Sequence, residues 1–204
     1  MKRGPGVLLP VIGKMRAELD ENLARYTAAS AESGDPVSCA TCTRHGCCKQ
    51  RVLANLVDGI AIAGELVASG RDTPALRKRL RAAADAMEGK SNRDWFERDI
   101  PCVFLADGRC SIYRVRPHAC ASYFVVSPPE NCEPEAHEIG VRALGCLRLA
   151  AMDMIRFEHD LARMHGLRRD AYIDTLPRVV LRALVAWNRA DWQAFVDRQG
   201  WPPL

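Results

Sequence analysis

Cysteine thiols are the side chains of this sequence whose type and spacing could do chemistry. The chain has nine cysteines in 204 residues, and eight of them lie from Cys39 to Cys132. Two residues separate Cys39 from Cys42, a spacing that lets one turn of loop point both sulfurs at a single metal ion. The vicinal pair, Cys47 and Cys48, follows Cys42 after four intervening residues. Because adjacent side chains diverge, the two thiols could serve different metal atoms, or only one of them could be a ligand.

Four more cysteines form a second group later in the chain, from Cys102 to Cys132. A single free thiol is often a small hydrophobic residue of a core, but eight thiols in two tight groups cannot all be explained in that way. We therefore predict metal binding, with a redox-active dithiol or incidental thiols as the alternatives. The predicted ligands are Cys39, Cys42, Cys47, Cys48, Cys102, Cys110, Cys120 and Cys132.

Composition and charge restrict the class of protein. Hydrophobic residues make up 48% of the chain and charged residues 26%, which is typical of a globular domain and excludes a disordered tail or a low-complexity array. The net charge of +4 is too small to argue for a nucleic-acid partner by itself. No apolar run approaches the ~20 residues of a membrane-spanning helix, so we expect no membrane partner.

The N-terminal segment only faintly resembles a signal peptide. Its apolar part, residues 7–13, is short, is interrupted by Pro10 and is followed at once by Lys14 and Arg16, so we do not expect export. We predict a cytoplasmic protein. A reducing compartment keeps thiols free, and this favours metal binding or redox chemistry over disulfides.

Apolar residues at steps of three and four predict that helices position the cysteines. One predicted helix begins at Thr73 as its N-cap, with Pro74 at the first helical position. The longest pattern runs from Ile139 to Met164 and places Cys146 beside its apolar stripe, so Cys146 is predicted to be a core thiol. The other predicted helices cover residues 11–33, 53–70, 180–185 and 192–196.

The segment 100–134 differs, because it is rich in Pro, Gly and Cys and contains only two strand-like stretches, 103–105 and 111–113. Asp107-Gly108 between them is a turn signal. So little regular structure cannot hold itself together by apolar burial, and the thiols are the candidates for fixing it. We predict one mostly α-helical domain over 1–204, built around a loop-rich cysteine-cluster segment with at most two short strands. Its loop-rich cysteine-cluster core spans 39–132, and flanking helices span 1–38 and 133–204.

The ordered motifs of the second group resemble a bacterial cysteine-cluster family known for its CxxCxxCC signature and described as a zinc- or iron-chelating domain. The matching residues are Pro101-Cys102, Gly108-Arg109-Cys110-Ser111-Ile112-Tyr113 and Arg116-Pro117-His118-Ala119-Cys120. The resemblance covers about residues 39–132 and implies zinc, iron or an iron–sulfur cluster as the cofactor. The chain departs from the pattern in two places: four residues, 43–46, separate Cys42 from Cys47, and Ala121 stands where the family often has arginine.

Other side chains of the two groups could support a metal. His45, His118 and His137 are the candidate nitrogen ligands, although a lone histidine in a loop is more often solvated. Thiolate ligands around Zn²⁺ leave a net negative charge that nearby cations would offset. Arg116 is the favoured cation because it lies inside the motif, and Arg109 and Arg114 are its neighbours in the sequence. We expect Tyr113 to pack rather than react, and Gly46 to support a tight turn that returns Cys47 towards the first pair.

Three functions are compatible with these residues. The leading hypothesis is a metal-binding protein in which the cysteine cluster holds the metal ion and organises the fold. The second is a metal- or cluster-dependent protein-modifying enzyme, because the resemblance extends to a lysine methylase acting on flagellin. No glycine-rich nucleotide loop and no CxxxCxxC motif supports catalysis. The third is a zinc-stapled interaction module with an unidentified protein or nucleic-acid partner. The basic stretches lack interleaved aromatic residues, which weighs against nucleic acid.

Overall fold

The computed structural model describes residues 5–42, 46–133, 141–165 and 173–188. Helices dominate this part of the chain, as predicted, and none of the described helices is long and apolar enough to cross a membrane. The helices are α1 (Leu9–Glu32), α2 (Leu56–Ala68), α3 (Pro74–Met87), α4 (Asn92–Phe96), α5 (His118–Ala121), α6 (Cys146–His165) and α7 (Leu176–Asn188). The strands are β1 (Leu53–Asn55), β2 (Leu105–Ala106), β3 (Arg109–Cys110) and β4 (Ile173–Thr175).

The central helix α2 is buried on nearly all sides. Ten of its thirteen residues are buried, which is the pattern of a helix surrounded by other elements rather than one with a single apolar face. It packs against α7 at Gly59, where an added Cβ would lie 2.6 Å from Cγ1 of Val179. A larger residue at position 59 would therefore force the two helices apart.

Side-chain caps begin three of the helices. Asn55 caps α2 by accepting the backbone N–H of Asp58 at 2.9 Å, and the Asp58 side chain accepts the N–H of Asn55 in return. Ser91 and Asp94 form the same reciprocal capping box at α4, a helix that the sequence patterns did not predict. Thr73 caps α3 by accepting the N–H of Leu76, with Pro74 at the first helical position. The prediction for the start of α3 is confirmed.

Two short antiparallel pairs complete the fold. β2 and β3 form a hairpin whose turn residues, Asp107 and Gly108, both have positive φ angles, 50° and 67°, as a two-residue hairpin turn requires. β1 pairs with β4, and the register places Leu53 opposite Thr175. The hairpin β2–β3 supplies the two short strands that were predicted around Asp107-Gly108. The pair β1–β4 was not predicted, because its strands lie far apart in the sequence and local patterns do not connect them.

Long-range pairing also shifts two predicted helix boundaries. The helix predicted from Leu53 begins at Leu56, because residues 53–55 pair with β4. The long helix begins at Cys146 rather than near Ile139, and Ile139 itself lies outside the described residues. Residues 141–145 run beside 124–126 instead: Val126 N–H donates to Arg142 O at 3.0 Å, and Leu144 N–H donates to Phe124 O at 2.9 Å. The helix predicted at 192–196 lies outside the described residues.

One hydrophobic core joins the helices to the cysteine-rich segment. Buried residues of α1, α2, α6 and α7 form most of it, and Phe104, Ile112 and Ala121 extend it from the cysteine-rich side. Cys146 is 2% exposed within this core, so the prediction of a core thiol is confirmed. Helices α2, α3 and α4 separate the two cysteine groups in the sequence. The groups nevertheless meet beside the helical core, where the Cys102 N–H donates to Cys48 O.

Candidate metal centre

The segment that carries Cys39 lies alongside residues 123–127. Ser38 fixes it there, because its backbone N–H and its hydroxyl both donate to Val125 O at 2.8 Å, and the hydroxyl also reaches Ser127 O at 2.7 Å. The Cys39 sulfur accepts the N–H of Val125 at 3.2 Å. The first cysteine of the sequence therefore lies next to the end of the second cysteine group.

The vicinal pair lies in a 3₁₀ turn, Gly46–Lys49, between two segments of the second group. A Cβ added to Gly46 would lie 2.4 Å from Cys132 O, so the turn and the Cys132 backbone are in direct contact. On the other side, Cys102 N–H donates to Cys48 O at 2.7 Å. Gly46 was expected to support a tight turn, and the structure requires glycine there for close approach to a neighbouring backbone.

The other thiols of the second group lie on the hairpin and on the short helix α5. Cys110 is in β3. Cys102 precedes β2, and its backbone carbonyl accepts the N–H of Leu105 at 2.9 Å. Cys120 is in α5. All nine cysteines of the chain are free thiols.

The effects of the thiols on one another's pKa values define two groups of three. In the first thiol group, Cys132 interacts with Cys39 and Cys42. In the second thiol group, Cys120 interacts with Cys102 and Cys110. The sequence places Cys132 with the second cysteine group, but the fold brings it to the first pair.

Cys47 lies between the two thiol groups and interacts with members of both. The neighbouring Cys48 thiol has the largest effect on its pKa. Its other interaction partners are Cys39 and Cys132 on one side and Cys102, Cys110 and Cys120 on the other. Cys47 is thus near both groups.

Burial and the charges of neighbouring thiols raise the pKa values of several of these cysteines. Burial raises the pKa of Cys102 to about 11, with smaller increases from Cys110 and Cys47. Burial likewise raises the pKa of Cys132 to about 11, and Cys39 and Cys47 add to the increase. The neighbouring Cys48 thiol is the main cause that raises the pKa of Cys47 itself. A metal cation among the thiols would oppose these increases, because it stabilises thiolates.

Arg116 brings a positive charge to the second thiol group. Burial is the largest effect on Cys110 and raises its pKa, whereas the Arg116 guanidinium acts in the opposite direction. That guanidinium lies 4.1 Å from the centre of the Tyr113 ring, and Tyr113 is 62% exposed. Tyr113 therefore packs against Arg116 at the surface. Arg109 and Arg114 are exposed as well.

Lys49 joins three segments of the candidate centre. Its Nζ lies 2.7 Å from Oδ1 of Asp99 and 2.9 Å from Oε2 of Glu133, and these carboxylates raise the pKa of Lys49 to about 12. Lys49 follows Cys48, Glu133 follows Cys132, and Asp99 precedes Cys102 by three residues. No sequence pattern predicted this ion-pair cluster, because a lysine side chain carries no signal for partners far along the chain.

His118 binds a carboxylate rather than standing alone in a loop. Its Nδ1 lies 2.6 Å from Oδ2 of Asp58, and because a carboxylate only accepts, Nδ1 carries the hydrogen. Burial opposes the charged ring, yet Asp58 outweighs it and raises the pKa of His118. Sequence reasoning missed Asp58, although an acid three residues after Asn55 in an otherwise apolar helix was a visible capping signal. His45 and His137 lie outside the described residues.

The donor set suits a soft metal, although the described side chains are not gathered around one point. Among the residues that the structure describes, no three His, Cys, Asp or Glu side chains are arranged to hold a metal ion. Thiols are the ligands of zinc and of iron–sulfur clusters, and eight of them lie in the two thiol groups and the vicinal pair. Cys47 and Cys120 are exposed, so a metal ion could reach the candidate centre from solvent.

Comparison with protein families gives one match. Residues 38–147 match the family described as "CxxCxxCC: Putative zinc- or iron-chelating domain", which is more than half of the chain. The chain belongs to this family. The matched region contains all nine cysteines, and the description of the CxxCxxCC family supports metal binding by this chain. No curated protein and no solved structure matches it.

Proposed function

We propose that the chain binds zinc or iron through the thiolates of the eight clustered cysteines, in a centre where the vicinal pair joins the two thiol groups. The ligands are Cys39, Cys42, Cys47, Cys48, Cys102, Cys110, Cys120 and Cys132. Membership of the CxxCxxCC family supports the choice of metals.

The position of Cys47 is the observation that carries this proposal. Each thiol group has three sulfurs, and one further sulfur from the vicinal pair completes four, the number that a structural zinc site or a cubane iron–sulfur cluster takes from cysteines. Cys47 and Cys48 are supplied by a single 3₁₀ turn that contacts the Cys132 backbone and hydrogen-bonds Cys102. The eight sulfurs are therefore enough for two four-sulfur sites, each of which takes one sulfur from the vicinal pair.

Charge favours the second thiol group as a place for four thiolates. Four thiolates around Zn²⁺ leave a net charge of minus two, which is costly in a partly buried site unless a cation lies nearby. Arg116 interacts with Cys110 and supplies that charge. We expect its guanidinium to stabilise the loaded centre without binding the metal.

Metal analysis of protein purified without oxygen tests the proposal and distinguishes its two forms. A colourless protein with stoichiometric zinc would establish zinc binding. A brown protein with iron and acid-labile sulfide would establish an iron–sulfur cluster. One or two metal equivalents per chain would separate one site from two. A folded protein that retains neither metal after reconstitution with zinc or with iron and sulfide would overturn the proposal.

A pair of cysteine variants tests the assigned ligands. Cys47→Ser should lower the bound metal by at least half, because Cys47 lies near both thiol groups. Cys146→Ala is the matched control: it also removes one thiol from the matched region, but Cys146 lies in the helical core, so its metal content should equal that of the wild type. Wild-type metal content in Cys47→Ser would show that Cys47 does not join the two groups.

A further inference from the structure

Asp58 is a buried carboxylate that connects the helical core to the short helix carrying Cys120. It is 0% exposed and lies in the first turn of α2. Its Oδ2 accepts Nδ1–H of His118 at 2.6 Å, and its Oδ1 accepts the backbone N–H of His118 at 3.0 Å. Arg16 of α1 also donates to Oδ1, at 3.4 Å. Removing a carboxylate from water is costly unless its oxygens are satisfied, and these donors satisfy them.

Helix α5 depends on Asp58 for its cap. The first N–H groups of a helix lack acceptors within the helix and are usually satisfied by the side chain of the N-cap residue. The N-cap of α5 is Pro117, which makes no side-chain cap. Asp58 accepts the His118 N–H instead, so the cap of α5 comes from α2 and fixes one helix to the other.

Arg16 holds the residue on the other side of Pro117. Its Nη2 donates to Arg116 O at 2.7 Å, while its Nη1 contacts Asp58. The backbone is thus attached to α1 at residue 116 and to α2 at residue 118. Cys120 follows in the same helical turn, where it interacts with Cys102 and Cys110.

We propose that Asp58 and His118 form a positioning pair for the metal centre, in which Asp58, assisted by Arg16, fixes α5 so that the Cys120 sulfur faces Cys102 and Cys110. Asp58 acts through His118 and the α5 backbone and does not bind the metal. This inference rests on the proposed function, since it assigns Cys120 to the metal centre. Residues that orient ligands in this way typically change metal affinity by 10- to 100-fold when replaced.

The test compares two capping carboxylates. Asp58→Asn should weaken zinc binding by about tenfold, measured on reduced full-length protein by competition with a chromogenic chelator. Asp94→Asn is the matched control, because Asp94 occupies the same capping-box position in α4 and its carboxylate hydrogen-bonds Ser91. Its zinc affinity should equal that of the wild type. Arg16→Met is a second variant that removes the donor to Arg116 O, and we expect it to weaken zinc binding several-fold.

A readout without metal separates positioning from loss of fold. In chelator-treated protein, the alkylation rate of each cysteine is followed by mass spectrometry. Asp58→Asn should change the rate of Cys120 at least threefold relative to Cys39, which lies on a different segment. Equal changes at all cysteines would indicate general destabilisation and overturn the inference, as would wild-type zinc affinity in both Asp58→Asn and Arg16→Met. Failure of the wild type to bind zinc or iron would instead overturn the proposed function, while the alkylation ratio would still test the positioning of Cys120.

Discussion

Gly46 shows how one missing side chain allows two segments of the candidate centre to meet. The 3₁₀ turn that supplies Cys47 and Cys48 lies directly on the backbone of Cys132, with no space for a Cβ between them. The nearest atom, the carbonyl oxygen of Cys132, belongs to the main chain and cannot move aside as a flexible side chain would. Any larger residue at position 46 must therefore separate the vicinal pair from the first thiol group.

Replacement of Gly46 should reduce both metal affinity and stability. In Gly46→Ala the new Cβ would lie 2.4 Å from Cys132 O, so we expect zinc affinity to fall by about tenfold, as for other changes that move ligands. Gly13→Ala is the control, because nothing lies within 4 Å of its Cβ position in α1 and alanine favours a helix by about 1 kcal/mol. Chelator competition and thermal unfolding measure both effects. Unchanged zinc affinity in Gly46→Ala would show that metal binding does not require contact between the Gly46–Lys49 turn and the Cys132 backbone.

Glu158 of α6 is a second residue whose surroundings have a measurable effect, in this case on its pKa. Its Oε1 accepts the N–H of Leu56 at 3.1 Å. Burial raises the pKa of Glu158 from 4.5 to about 7; the bond from Leu56 opposes this increase, and the charge of Asp58 adds to it. The folded protein therefore holds a proton on Glu158 at pH values where the unfolded chain has released it.

This difference makes stability fall as pH rises. Between about pH 4.5 and 7 the folded state binds more protons at Glu158 than the unfolded state, so the free energy of unfolding decreases with increasing pH and levels off above pH 7. Glu158→Gln should lack this decrease, and its stability relative to the wild type should rise by about 2 kcal/mol from pH 5 to pH 8. Urea unfolding of chelator-treated protein at the two pH values measures the difference. A constant difference would mean that Glu158 is not protonated in the folded state.

At the scale of elements, Lys49 connects segments that have no regular secondary structure in common. It bridges Asp99 and Glu133 from the 3₁₀ turn of the vicinal pair. The side chains of Lys49 and Glu133 are 22% and 15% exposed, so solvent screens this pair less than a fully exposed one. Exposed ion pairs contribute about 0–1 kcal/mol, and the network around Lys49 should exceed that range.

Removal of the Lys49 charge should loosen the candidate centre. Lys49→Met keeps most of the side-chain length but loses both ion pairs, and we expect zinc to transfer to an excess of chelator several-fold faster than from the wild type. Arg93→Met is the control, since the Arg93–Glu97 pair is exposed, with side chains 76% and 52% accessible. Its transfer rate should match that of the wild type. Equal rates in all three proteins would contradict a role for Lys49 in holding the centre.

Local patterns predicted the elements that local forces create. Thr73 and Pro74 marked the start of α3 correctly, because a cap and a first-turn proline act within four residues. The start of α6 was misplaced, because residues 141–145 pair with 124–126, a contact that no periodicity reports. The same limit applies to the candidate site. The spacing of the cysteines identified its thiols, but Asp58 and Lys49 find their partners 60 and 84 residues away.

At the scale of the whole molecule, two kinds of interaction hold different parts together. Apolar packing of α2 against α7 and α1 forms the helical core. The segment 100–133 contributes few buried apolar residues, chiefly Phe104, Ile112, Ala121 and Val125, and its remaining order depends on hydrogen bonds and on the thiols. A bound metal would therefore stabilise that segment much more than the helices.

Removal of metal should loosen one part of the molecule selectively. Structural zinc can supply about 10 kcal/mol of folding free energy, so chelation should increase amide hydrogen exchange across 100–133 by at least tenfold. Exchange in α2 and α7 should change little, because apolar contacts hold these helices. Hydrogen exchange followed by mass spectrometry before and after chelation measures both regions, and zinc re-addition is the control. Equal acceleration in α2 would show that the metal holds the entire fold.

The exposure of Cys47 and Cys120 determines how metal would leave the protein. A zinc ion enclosed on all sides departs only after its own ligands release it, at a rate independent of the acceptor. At a centre lined by exposed residues, an incoming thiol or chelator can bind the ion while some protein ligands still hold it. Transfer should then accelerate in proportion to acceptor concentration. Such a centre would exchange its metal through an intermediate in which protein and acceptor both bind the ion, instead of retaining it for the lifetime of the fold.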